Sequence, residues 1–94
     1  MDVIVTYDIK RNHTEIKDEL KTLGYRDAIN GFQQGTTTPV VHELPNTTLI
    51  KYDAAGTESI LNQVVGVINK QNGGLDRLFC AQLAQGFNWS GWNN

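Results

Sequence analysis

The chain has 94 residues, 39% of them hydrophobic, with eight basic and ten acidic side chains for a net charge of −2. That length suits one domain, 1–94, around a single core, and no apolar run approaches the roughly 18 residues of a membrane span. The slightly acidic balance lacks the clustered Lys and Arg that hold a nucleic-acid backbone, so a tight, sequence-independent grip on phosphate is not expected.

The first residues show no basic region followed by an apolar stretch, so secretion is not expected. The single cysteine, Cys80, cannot form an internal disulfide, which fits a cytoplasmic protein. It reads as a small buried hydrophobe within an apolar strand.

Asp2 to Asp8 is rich in β-branched residues and reads as a strand, with Val3, Val5 and Tyr7 on one face and Ile4, Thr6 and Asp8 on the other. Asn12 followed by Glu15 predicts a capped helix start, and Ile16, Leu20 and Leu23 give its apolar stripe before Gly24 stops it. Lys10, Arg11, Lys17 and Lys21 are interleaved with Glu15, Asp18 and Glu19, the pattern of a solvated helix face.

Tyr25 to Gln34 carries a weaker strand signal interrupted by Gly31. A turn follows at Gly35–Pro39, and Val40 and Val41 extend an edge, because Pro39 and Pro45 bar a central strand. Thr47 to Tyr52 is the next clear strand. A second helix starts near Thr57, presents Ile60, Leu61, Val64, Val65 and Ile68, and ends at Gly73-Gly74. Gly66 inside it suggests close packing there. Leu75 to Leu83 is the last strand, followed by an aromatic, glycine-rich tail within 84–94 that contains Phe87, Trp89 and Trp92.

The order predicts an α+β, ferredoxin-like βαββαβ fold, with two helices on one face of a four-stranded antiparallel sheet in order 4-1-3-2. An internal repeat supports it. Ile4-Val5-Thr6-Tyr7-Asp8 returns as Leu49-Ile50-Lys51-Tyr52-Asp53, each followed by Thr-Glu and a helical pattern. The repeated strands then become central, antiparallel neighbours, and Asp8 and Asp53 fall at opposite ends of the sheet, well over ~10 Å apart. Metal–oxygen distances of about 2.0–2.6 Å rule out a cation shared by that pair within one protomer. By strand parity the helix-free face carries Ile4, Thr6, Asp8, Leu49, Lys51 and Asp53, and a second copy is its simplest cover. Two Asp8 side chains across a two-fold would then hold one Mg²⁺. In the competing reading, Asp8 caps the loop into the first helix and Asp53 does the same in its repeat.

Val3-Ile4-Val5-Thr6-Tyr7-Asp8-Ile9 resembles the first strand of the Cas-two family of small CRISPR adaptation proteins and their VapD-like relatives. The resemblance covers about seven residues plus the order of elements. It implies a ferredoxin-like homodimer, a catalytic or metal-binding role for Asp8, and action on nucleic acid either as a Mg²⁺-dependent nuclease or structurally beside a partner. It also implies that the tail adds an extra C-terminal edge strand to the partner protomer. The chain departs from that pattern at Asn12-His13-Thr14-Glu15, where the family has an arginine-rich helix start, and at Ala28–Gln34.

His13 and His42 stand without Cys or carboxylate partners at metal spacing and read as surface or loop histidines. Tyr7 and Tyr52 fall on the apolar face, as core tyrosines rather than the base-stacking aromatics of an RNA-recognition module. Trp89 and Trp92 stack bases, pack onto their own sheet face or enter a dimer interface, and the absence of basic neighbours favours the interface, together with Ile4, Leu49 and Phe87. Two functions are therefore expected to compete. The first is a non-catalytic dimeric interaction module; the alternative is a Mg²⁺-dependent endonuclease using Asp8 paired across a homodimer.

Overall fold

The computed structural model describes residues 1–92. Its elements run β1 (Asp2–Ile9), α1 (His13–Thr22), β2 (Ala28–Phe32), β3 (Pro39–Glu43), β4 (Thr48–Lys51), α2 (Thr57–Lys70) and β5 (Leu75–Leu83). The class is mixed α+β with antiparallel strands. β1 lies at the centre of a three-stranded sheet in the order β4-β1-β5. No helix among the described residues is long and apolar enough to cross a membrane.

Alternation along β1 sets the two faces. Val3, Val5, Tyr7 and Ile9 are buried, whereas Thr6 and Asp8 are exposed and Ile4 is half-buried. Both helices cover the first set. Ile16 and Leu20 of α1 join Ile60, Val64, Val67 and Ile68 of α2 in one cluster with the β1 side chains. The i, i+4 spacing places these residues on a single stripe of each helix.

The helix ends differ in detail from the sequence expectation. Gly24 stops α1 at φ +98, where a left-handed residue closes the last turn. Asn12 does not cap: it adopts φ 61 and its amide donates to the Gln71 carbonyl at 2.7 Å, tying the start of α1 to the end of α2. α2 starts at Thr57 as expected, but with Gly56 at the cap position, so no side chain caps it. Gly66 does not mark close packing either; it is exposed, and a Cβ there would meet open space.

The second strand departs most. β2 pairs along its whole length with β3, from Ala28–Glu43 to Phe32–Pro39, in a separate two-stranded hairpin. Among the described residues, its ladder link to the main sheet is the pair of bonds between Arg26, just before the strand, and Ile50, 2.8 Å and 2.9 Å. Val40 and Val41, expected to extend an edge, supply that hairpin partner, and Pro39 sits at the strand end where a missing N–H is tolerated.

The repeat is real at the level of strand followed by helix, and β1 and β4 are antiparallel neighbours. It is not register-true. Tyr7 is buried within β1, whereas Tyr52 lies past the end of β4, half-buried, with its hydroxyl accepting from the Asn30 N–H at 3.4 Å. Asp53 follows in the left-handed region at φ 55.

Candidate functional site on the helix-free sheet face

The antiparallel register decides which side chains share the open face, because directly opposed residues point the same way. Across β1 and β5, Ile4 opposes Ala81, Thr6 opposes Phe79 and Asp8 opposes Arg77. Across β1 and β4, Ile4 opposes Ile50 and Thr6 opposes Thr48.

This register corrects the assignment of Leu49. Leu49 opposes Val5, is fully buried, and belongs to the core beneath the helices. Counting from the repeat puts it beside Ile4, but hydrogen-bonded pairing overrides sequence similarity, and a one-residue offset moves a side chain to the other face. Lys51 moves with it, opposite Val3. Ile50 takes the open-face position instead and is fully buried there.

Asp8 is exposed, and its carboxylate accepts from Arg77 Nε at 2.9 Å. The pair is built by the register, each residue projecting from directly opposed positions on neighbouring strands. With side chains 55% and 85% exposed, it contributes at most about 1 kcal/mol. This side-chain engagement replaces the capping role considered for Asp8. At the other end of the sheet, the Asp53 N–H donates to Asp2 Oδ1 at 3.2 Å, so Asp8 and Asp53 stand as far apart as the sequence predicts. Among the described residues no three or more of His, Cys, Asp and Glu gather as a metal-binding group. A guanidinium against the carboxylate opposes cation binding at Asp8 by like-charge repulsion.

Phe79 is the open face's exposed aromatic. It is 60% exposed beside Thr6, with Arg77 two residues before it on the same face of β5. Neither Phe79 nor Arg77 stands out in the sequence, where Leu78-Phe79-Cys80-Ala81 reads as a uniform apolar run. Counting parity from the pairing with β1 would have found both. Cys80, on the opposite face, packs against the core, and burial pushes its thiol up, away from thiolate reactivity.

The tail occupies the other half of this face. No strand follows Leu83 among the described residues of the protomer. Phe87 and Trp89 are half-buried, and Trp92 is 85% exposed. Trp89 packs onto the hairpin of its own chain: its indole lies against Gly31, and its ring stands 5.4 Å from that of His42. Ile4 lines the same region. His13 is exposed at the start of α1.

No family model matches the chain, and neither a curated protein nor a solved structure matches it significantly.

Proposed function

We propose that this chain is a non-catalytic interaction module that forms a homodimer through the outer edge of β5. The observation that carries the proposal is an edge strand of nine residues, with no Pro or Lys in it and, among the described residues, no strand pairing its outer side, that presents a 60%-exposed phenylalanine at its middle. Such an edge is a template for another strand unless it is blocked. Taking β3 as an insertion, we read the fold as ferredoxin-like, in keeping with the Cas-two and VapD-like resemblance, and a single reduced thiol suits a cytoplasmic setting.

A two-fold axis at Phe79 satisfies the chemistry of both faces. Phe79 then meets its own copy, and cross-strand aromatic pairs contribute about 0.2–1 kcal/mol beyond the ladder bonds. Leu78 stands opposite Cys80 of the second copy, both on the helix side, and Arg77 stands opposite Ala81 of the second copy without like-charge contact. The result is one continuous sheet of twice three strands.

This arrangement separates the two Asp8 carboxylates by roughly 20 Å, from three inter-strand spacings across and four residues along. The nuclease reading thus needs a different dimer, and also an Asp8 released from Arg77. Cleavage of labelled RNA or DNA that requires both Mg²⁺ and Asp8, and is absent from Asp8→Asn, would support that reading against the present one. Association with nucleic acid is a separate matter. Phe79 beside Arg77 offers a base one stacking platform, and RNA binding that disappears in Phe79→Ala would support it.

The dimer is tested by sedimentation of wild type and Phe79→Lys over a concentration series. Wild type is expected to dimerise and Phe79→Lys to remain monomeric, since like charges directly opposed across a strand pair are destabilising. Phe79 is exposed in the protomer, so the variant keeps its fold. A wild-type monomer at every concentration, or a dimer indifferent to Phe79→Lys, would overturn the proposal.

A further inference from the structure

The aromatic tail does not simply cover the sheet; it closes a cleft. Past β5 the chain turns at Gly86 (φ +74), with the Phe87 N–H donating to the Ala84 carbonyl at 3.2 Å. It then runs back along the hairpin. Two glycines make that path possible. At Gly31 a Cβ would stand 2.8 Å from the Trp89 indole nitrogen, and at Gly91 a Cβ would collide with the His42 ring. Gly31 and His42 lie on the same face of the hairpin as buried Ile29, by the β2–β3 register.

The cleft has a volume of about 280 Å³. Ile4 and Leu83 form its floor on the sheet, and Ile29 and Leu44 form the hairpin wall. Phe87, Trp89 and Trp92 come from the tail. Among the described residues, the polar side chains on its lining are the His42 imidazole and the Ser90 hydroxyl, and no carboxylate, ammonium or guanidinium lines it.

We propose that this cleft binds a small, flat, uncharged aromatic molecule of about two fused rings. Size, charge and shape converge on that class. An apolar protein cavity of about 150 Å³ accepts one benzene ring, so roughly twice that space suits a two-ring skeleton. A charged ligand would lose its hydration against these mostly apolar walls, with no carboxylate, ammonium or guanidinium among the described lining residues to replace it. The Trp89 ring is held in place between Gly31 and His42, tilted 42° to the imidazole, which fixes one aromatic wall. Trp92 lines the cleft yet remains 85% exposed, leaving an indole face for a planar ligand to cover. Aromatic rings gain from offset or edge-to-face contact beyond area burial alone. The site does not depend on self-association through β5.

The chain contains two tryptophans, and both line the cleft, so the two indole N–H resonances report on it directly. Naphthalene is titrated into the full chain, with naphthalene-2-sulfonate as the charged counterpart. Both indole signals are expected to shift saturably with naphthalene and to respond roughly tenfold more weakly to the sulfonate, a difference of about 1.4 kcal/mol. Gly31→Ala, which pushes the Trp89 indole off its seat, is expected to abolish the response. Trp92→Ala removes an exposed side chain without threatening the fold and is expected to weaken binding severalfold. The proposal is overturned if neither indole shifts saturably up to the solubility limit, or if both variants respond like wild type. It is also overturned if the sulfonate binds as well, or if the shifts track formation of a larger species in sedimentation, which would make a second copy the occupant.

Discussion

Leu49→Ala discriminates most sharply between the two faces of β4. Leu49 is fully buried opposite Val5, within the cluster beneath both helices. The substitution deletes three carbons, about 2.4 kcal/mol of transfer free energy at ~0.8 kcal/mol each. A cavity term adds to this, because close-packed surroundings relax only in part, and measured Leu→Ala costs at such sites run from about 2 to 5 kcal/mol. We therefore expect a loss near 3 kcal/mol. A chain of this length has about 5–14 kcal/mol of total stability, so the variant folds but melts about 12–24 °C lower. Leu61→Ala is the matched control. It removes the same atoms from a position on α2 that is 39% exposed, with an expected cost below about 1 kcal/mol. Urea unfolding followed by circular dichroism, at equal protein concentration because self-association stabilises the folded state, measures both. A Leu49→Ala cost no larger than that of Leu61→Ala would refute the β1–β4 register and return Leu49 to the open face.

Three further outcomes follow from local geometry. Gly66→Ala is expected to raise stability by roughly 0.5–1 kcal/mol, since the site is helical and open and alanine restricts the unfolded chain; an unchanged or lower urea midpoint would contradict this. Hydrogen bonds from Lys70 and then Gln71 hold the Glu19 carboxyl below its ordinary value. Their contribution is thus present above about pH 4.3 and lost as the pH falls through the depressed folded value. Glu19→Gln should flatten that part of the acid limb, and an unaltered acid transition would refute the coupling. Tyr25 is buried, donates to Gln63 Oε1 at 2.7 Å, and has its phenol pushed up to about 12 by burial. Its neutral form favours folding below about pH 10, and that advantage is lost as the pH rises through the folded value. Phenolate absorbance should therefore show a late-titrating group that vanishes in Tyr25→Phe.

Patterning alone revealed much of the fold. The alternation in β1 and the stripes of Ile16–Leu20 and Ile60–Val64–Ile68 specify faces by themselves, because each is a local periodicity tied to burial. The antiparallel neighbours β1 and β4 followed from the strand–helix repeat. Pairing partners were harder to read. Nothing local tells β2 to pair with Pro39–Glu43 rather than along β4, since that choice depends on the hairpin turn and on the tail that covers Ile29. The face of Leu49 failed for the same reason: similarity to Ile4 is a property of composition, whereas its direction is set by hydrogen-bond register. Asp8 was found from its strand position, but its partner Arg77 lies 69 residues away and is visible only once the two strands are aligned. The seat of Trp89 is likewise written in Gly31, which as a sequence feature reads as an interruption.

The most direct test of the edge-to-edge dimer is amide hydrogen exchange along β5 as protein concentration is raised. In the proposed dimer, alternate amides of Leu75–Leu83 that point away from β1 gain partners, so their protection should rise with concentration while the exchange of α1 amides stays constant. Concentration-independent exchange at every β5 amide, in a protein that sediments as a dimer, would place the interface elsewhere and contradict the account.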